Sequence, residues 1–430
     1  MATIPSNDDS SASESVSLSM PRRLRSPLAK ATTSVTVNSS HIQQNIPNHS
    51  GTSGGSESVP IVQDDLPQWS QNFRVEALPN FVKKIGPAAV STEMSYPSPH
   101  KIFCEFFTDE MVKHITFHTN LYATQKGKPF IPTTEDEIRV FLGINLFMSV
   151  KKLPSYRDYW SSSPDLNEAY ICDLMTVKRF SFLLSHIHSN DNSMMPKRGQ
   201  ANFDKLFKIR SLVEMLNKRF AQCYQPHQKV AINESMVKFK GRSSMKQYMR
   251  DKPVKRGYKI WMLCDDLAYN LKFQVYTGRL ATEKSELGLG AQVVSDLCEE
   301  HYGKNHIVFM DNFFTSYNLF VLLKAQKTSA VGTVNPARKL LPKLKEDKKM
   351  KRGDFDSKVS NHGVAFYKWM DKRAVNLIPT MHDPSDTTSV NRKENDGSTT
   401  VVACPRVLSD YNRSMNFVDN FDRLKRRLWL

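Results

Sequence analysis

Four side chains in this 430-residue sequence could act together on a phosphate ester. Asn233 lies in the alternating run KVAINES, and Asp311 closes the apolar run IVFM. Asp419 and Asp422 stand three apart in NFVDNFD. Two-metal phosphoryl transfer needs acidic ligands from separate elements, converging on two ions about 3.5–4 Å apart. One ion activates the attacking oxygen and the other stabilises the leaving one. The ions repel each other, so the ligand between them must carry negative charge. Asn233 offers an amide oxygen and no charge. Glu234, one residue on, points to the other face of a strand and is no simple substitute. The candidate metal ligands are then Asp311 and Asp419, with Asp422 one helical turn from the latter. Taken alone, capping or surface roles account for such aspartates better. The order of elements around them is what makes them a site.

That order can be read from periodicity. In KVAINES, Val230 and Ile232 point to one face and Ala231, Asn233 and Ser235 to the other. Gly257 to Asp266 reads as a second strand and Leu271 to Arg279 as a third, giving an antiparallel meander. Leu289, Val293 and Leu297 recur at helical spacing. The apolar strand Ile307 to Met310 follows, then a helix capped by Ser316, then a fifth strand, Val331 to Val334. Strand–helix–strand–helix–strand after an antiparallel triplet predicts an α/β fold with a mixed sheet. Right-handed crossovers set the fourth strand beside the first, so Asn233 and Asp311 become neighbours. This is a ribonuclease-H-like arrangement.

Sixty basic against 43 acidic residues leave a net charge of +17, which favours a polyanionic partner, DNA first. The charge is concentrated between the first two strands. Nine of the 22 residues from Lys238 to Lys259 are Lys or Arg: Lys238, Lys240, Arg242, Lys246, Arg250, Lys252, Lys255, Arg256 and Lys259. Only Asp251 opposes them, and Tyr248 adds a stacking face. A solvated loop is the plainer reading; its place beside the acidic positions favours phosphate contact. The six cysteines are scattered without a CxxC pair, so no zinc module and no disulfide framework is expected. No apolar run has the length of a membrane span, so no membrane partner is expected.

Residues 1–66 are rich in Ser, Thr, Asn and Gly and read as a disordered tail, within which PRRLRSP could serve as a nuclear address. Residues 67–227 read as a preceding helical domain. Thr134 with Glu137 forms a capping box there. Val177, Phe180, Leu184 and Ile187 share one helix face, and Leu206, Ile209, Val213, Leu216 and Phe220 another. His186 and His188 lack companions for a metal site. The first part of the core spans 228–334, an insertion 335–402, and the last part of the core 403–430.

The chain resembles the piggyBac family of DNA transposases and the domesticated proteins derived from them. The resemblance rests on FFTDE (Phe106 to Glu110), TEDEIRVFLGI (Thr134 to Ile144), AINESMVKFKGR (Ala231 to Arg242), KPVKRGYK (Lys252 to Lys259), MDNFFTS (Met310 to Ser316), VGTV (Val331 to Val334) and NFVDNFD (Asn416 to Asp422). It implies a helical dimerisation and DNA-binding domain, a ribonuclease-H-like core with an insertion, and cut-and-paste transposition at TTAA targets. It also implies Mg²⁺ as cofactor, a homodimer, DNA as partner and a nuclear location. The family's three catalytic aspartates fall on Asn233, Asp311 and Asp419, and a further important acidic position on Asp422. Two departures stand out: the asparagine at 233, and a sequence that stops at Leu430, where family members continue with further helices and often a zinc module. The expectation is a catalytically impaired, DNA-associated, transposase-like protein. The alternatives are a working transposase that tolerates Asn233 and an inactive fragment.

Overall fold

The computed structural model describes residues 66–76, 80–81, 83–88, 98–200, 202–278 and 287–428. The tail expected over residues 1–66, PRRLRSP included, lies outside them but for Leu66. Two short strands come first, β1 (Trp69–Ser70) and β2 (Gly86–Pro87). Helices α1 (Pro99–Phe106), α2 (Asp109–Gln125), α3 (Glu135–Val150), α4 (Ala169–Leu174), α5 (Val177–His186) and α6 (Arg210–Cys223) follow.

The capping box starts α3: Thr134 Oγ1 accepts the Glu137 N–H at 3.2 Å, and Glu137 Oε2 accepts the Thr134 N–H at 3.4 Å. The same carboxylate receives Arg179 of α5 at 2.6 Å, so one glutamate both starts a helix and ties it to a neighbour. Ile138, Phe141 and Ile144 of α3 bury against Val112 and Ile115 of α2 and Phe180 and Leu183 of α5. The α5 face is rotated from the expected one: Leu183 is buried and Leu184 exposed. Packing against α3 sets that phase, where periodicity alone gave two adjacent leucines equal claims. The pattern from Leu206 to Phe220 is also broken, by a 3-10 turn at Phe207–Ile209 that leaves Ile209 exposed before α6 begins.

The sheet strands are β3 (Tyr224–Gln225), β4 (Lys229–Lys238), β5 (Lys246–Tyr248), β6 (Arg256–Asp265), β7 (Asn270–Val275), β8 (Ile307–Met310), β9 (Ser329–Thr333), β10 (Phe355–Ser360), β11 (Ala365–Met370), β12 (Ala374–Pro379), β13 (Thr387–Lys393) and β14 (Thr399–Pro405). The main sheet runs β1-β10-β11-β12-β9-β8-β4-β6-β5, and β7 also pairs with β6. Strands β4, β6 and β7 form the expected antiparallel meander, while β8 lies parallel to both β4 and β9. That is the ribonuclease-H-like order. The third strand ends at Val275, short of Arg279, and the fifth begins two residues early, at Ser329. The stretch 335–402, expected as an insertion, supplies β10, β11 and β12 to this same sheet, while β13 and β14 pair as a separate ribbon.

Helices α7 (Leu289–Cys298) and α8 (Tyr317–Ala325) cover one face, where Val230, Ile232, Trp261, Leu263, Val308 and Met310 meet them. Helices α9 (Arg406–Ser414) and α10 (Phe417–Leu428) cover the other, over Ala231, Met262, Cys264, Ile307 and Phe309. Alternation along β4 and β8 therefore feeds two cores from the same strands.

Gly257 marks where β6 crosses closest to β4. A Cβ there would lie 1.9 Å from the Val237 carbonyl oxygen, which belongs to backbone and cannot swing away. Gly257→Ala should therefore lower stability, by about 1–3 kcal/mol if it behaves as ordinary overpacking. The check is a fall in the urea midpoint at unchanged slope.

Candidate active site and nucleic-acid interface

The β4–β8 register sets Ile232 opposite Met310, so the next residues, Asn233 and Asp311, are neighbours across the parallel pair. Asn233 Oδ1 accepts the Glu234 N–H at 2.9 Å. Asp311 sits one residue past β8, where Oδ1 accepts the Phe313 N–H at 2.9 Å and its backbone carbonyl accepts the Thr315 hydroxyl at 2.8 Å. The turn into α8 thus fixes Asp311 at the sheet rim. Burial holds its carboxyl above the usual carboxylate range, the charge of Glu234 pushes it further, and the Phe313 and Phe314 amides and Lys259 draw it back.

Glu234 is the residue that strand alternation set aside. It does face away from Asn233, opposite Trp261 in the β6 register. Asp311 nevertheless senses it, because a residue beyond the strand end is within electrostatic reach of both faces. Tyr411 of α9, on the opposite face, feels the Asp311 charge as well. Glu234 Oε2 is buried without a hydrogen-bond partner. The signal that could have found it is its place next to Asn233, where the β4–β8 pairing ends and Asp311 leaves the sheet.

Helix α10 carries Asp419 and Asp422. Asp422 Oδ1 accepts the Ser235 hydroxyl at 2.6 Å and the Lys425 ammonium at 2.7 Å. Ser235 is two residues from Asn233 on the same strand face, so α10 is docked on β4 through this bond. Asp419 pairs with Lys252 of the basic hairpin at 3.2 Å. Each helix carboxylate thus already has an ammonium beside it.

The residues do not fit a two-ion centre. Asn233, where the resemblance expects a bridging carboxylate, is an amide bonded to its own chain, and the two helix carboxylates hold lysines. Among the described residues, the one group of three or more His, Cys, Asp or Glu with mutually close ligand atoms lies elsewhere: His227, Asp265 and Asp266, within 4.8 Å. There His227 Nδ1 lies 3.0 Å from Asp265 Oδ2 and 2.8 Å from Asp266 Oδ1. Asp265 Oδ1 accepts the Leu267 and Tyr269 amides, so this cluster clamps the β6–β7 turn.

The basic stretch leaves β4, returns through β5 on the outer edge of β6, and is pinned where Tyr248 lies under Arg256, 5.4 Å from ring centre to guanidinium. Lys238, Lys240, Arg242, Arg250, Lys255 and Arg256 are exposed. Three others turn inward. Lys246 donates to the Gly241 carbonyl at 2.8 Å, Lys252 holds Asp419, and the Lys259 ammonium lies 5.1 Å from the Phe313 ring and 5.5 Å from Trp261.

Asp311 yields a pH prediction. Its folded pKa is raised, so its contribution to stability is present below the ordinary carboxylate pKa and lost as pH rises through the folded value. Asp311→Asn keeps the acceptor for Phe313 and removes the charge. Its unfolding midpoint should exceed that of the unmodified protein at neutral pH and converge with it in acid. Equal midpoints at neutral pH would count against a destabilising buried charge.

A family model described as Transposase IS4 matches residues 98–428. Human PiggyBac transposable element-derived protein 3 is 31% identical over 334 residues, 76% of this chain and 55% of that protein. Human PiggyBac transposable element-derived protein 2 is 32% identical over 288 residues, 65% of this chain and 48% of that one. The chain therefore spans about half the length of these curated relatives. Among solved structures, the piggyBac transposase in a synaptic complex with hairpin DNA matches with a TM-score of 0.65 and 26% identity. That match covers 80% of this chain and 70% of the other.

Proposed function

The chain belongs to the piggyBac transposase family, and on that premise we propose that it is a nuclear, transposase-derived protein that holds DNA without cutting it. The observation that carries this reading is the state of the acidic positions. Members of this superfamily typically use divalent metal. Here the position that would bridge two ions is Asn233, and Asp419 and Asp422 are matched by Lys252 and Lys425. A cation binding at Asp419 Oδ1 competes with Lys252, and one binding at Asp422 Oδ1 competes with Lys425 and with the Ser235 hydroxyl that docks α10.

What the hairpin retains is phosphate chemistry. Six exposed basic side chains stand on a strand-anchored excursion beside the same face, with Tyr248 exposed among them. Such charge binds backbone without reading bases. The solved relative was captured with hairpin DNA, which agrees with DNA as the partner.

Two experiments test the proposal. In a nicking assay on a transposon-end substrate with Mg²⁺ or Mn²⁺, the unmodified chain should be silent. Losing several kcal/mol of transition-state stabilisation costs several orders of magnitude in rate, at about tenfold per 1.36 kcal/mol. Recovery in Asn233→Asp alone would place the defect at that residue. Metal-dependent nicking by the unmodified chain, lost in Asp311→Ala, would favour a working transposase instead.

Duplex binding should weaken steeply with salt, each neutralised phosphate adding roughly 0.9 to the log–log slope. Replacing Lys238, Lys240 and Arg242 with alanine should flatten that slope. An unchanged slope would remove the hairpin from the interface.

A further inference from the structure

At the other end of β8 from Asp311 lies a small pocket with a different composition. Its walls come from α6, β3, the start of β7 and the turn after α7, and it has a volume of about 70 Å³. On this measure a single water needs only about 10–15 Å³, so the pocket has room for several waters, or for one tetrahedral oxyanion in their place. Lys83, Lys304, His301 and His306 line it, with Glu300 at its edge.

The charges are unbalanced. The Glu300 carboxylate is turned to Lys272, at 3.4 Å. The Lys304 ammonium donates to the Glu300 backbone carbonyl and feels the Glu300 charge, but forms no ion pair with it. Among the described residues no carboxylate forms an ion pair with Lys83 or Lys304. Burial and then the Lys83 charge lower the Lys304 pKa, and the Glu300 charge only partly opposes them, so the two ammonium groups already destabilise one another.

The histidines add directional groups. His301 is 8% exposed, and its Nδ1 is buried with no hydrogen-bond partner. His306 is 1% exposed, with Nδ1 3.1 Å from the His227 carbonyl, and its ring stands edge-on to His301 at 5.2 Å. A buried imidazole nitrogen with no partner, behind two ammonium groups that form no ion pair among the described residues, makes a site that lacks an anion. A buried donor set of this kind is costly when unmade and strong when it meets a charged acceptor.

We propose that this pocket binds a single phosphate group. The size admits one tetrahedral oxyanion, and Lys83 comes from one stretch of chain and Lys304 and His301 from another, groups that a tetrahedral acceptor can satisfy together and a chloride cannot. The phosphate could belong to a DNA backbone or be free in solution, and the two sources separate experimentally. The site lies away from the Asp311 rim, so it stands whether or not the chain cuts DNA.

The groups facing His301 are Lys83, Lys272, Lys304 and His306, all of which disfavour its protonation after burial has done so, and together they push its pKa down to about 3. A bound phosphate anion opposes this. Phosphate should therefore raise the titration midpoint of His301, read from side-chain ¹⁵N shifts.

The test compares the full chain with Lys83→Ala/Lys304→Ala, a pair of substitutions at the pocket mouth. Millimolar inorganic phosphate should raise the Tm of the unmodified protein by a few degrees over chloride at equal ionic strength. It should not do so in the double variant. A duplex oligonucleotide forms the second arm. If its affinity falls in the double variant and its salt slope drops by roughly 0.9, as for one lost phosphate, the pocket takes a DNA phosphate. If duplex affinity is unchanged while the phosphate shift is lost, the pocket takes free phosphate. No phosphate-specific Tm shift, or the same shift in both proteins, overturns the proposal.

Discussion

The parallel pairing of β4 with β8 is the contact on which the rest depends. Four residue pairs, from Lys229 with Ile307 to Ile232 with Met310, fix the register. Slipping by one residue would exchange the faces of Val230, Ile232, Val308 and Met310 with those of Ala231, Ile307 and Phe309. Both cores would lose their side chains at once, because helices cover each face. The same register sets residue 233 beside residue 311 at the rim. Packing thus enforces the juxtaposition of the two positions, whatever residues occupy them, and an asparagine can sit there without loss of the fold.

The acidic positions at the rim are met in two ways. On the α10 side, lysines and a serine hydroxyl match the carboxylates. Asp311, just past the end of β8, is left within reach of the Glu234 charge, offset by the Phe313 and Phe314 amides and by Lys259, whose charge is also drawn over aromatic rings. The first arrangement stabilises the docking of α10. The second stores an unfavourable interaction of the kind often found where a protein holds or once held a cation.

Much of this was legible in the sequence. The meander, the crossover order, the capping box at Thr134 and the cap at Ser316 each rest on a local rule, and each rule held because tertiary packing agreed with it. The neighbourhood of Asn233 and Asp311 followed from the order of elements. What could not be read depends on side-chain reach across elements. Lys252 and Lys259 belonged to a basic run like any other, and only the fold shows that they turn inward. Glu234 was set aside by strand alternation, which holds along β4 but does not keep its charge from Asp311, one residue past the end of β8. The strand β10 was missed because its polar sequence, FDSKVS, is half-buried on one face and lies next to the sheet edge.

The outermost strand of the sheet has a consequence for biosynthesis. β10 is closed by β1, through Trp69 opposite Ser360 and Ser70 opposite Val359. Trp69 is anchored further by its indole N–H to the Leu340 carbonyl at 3.1 Å and by its ring against Tyr317. A ribosome adding about 5–20 residues per second needs on the order of 15–60 s to travel from one partner to the other. Through that interval the β1 segment has no strand to join, and β10 in turn emerges with its partner already waiting. Open strand edges recruit other chains, so this late closure shields the growing sheet from neighbours on the same polysome as soon as the edge exists. An N-terminal deletion past Ser70 would leave that edge open for the life of the protein.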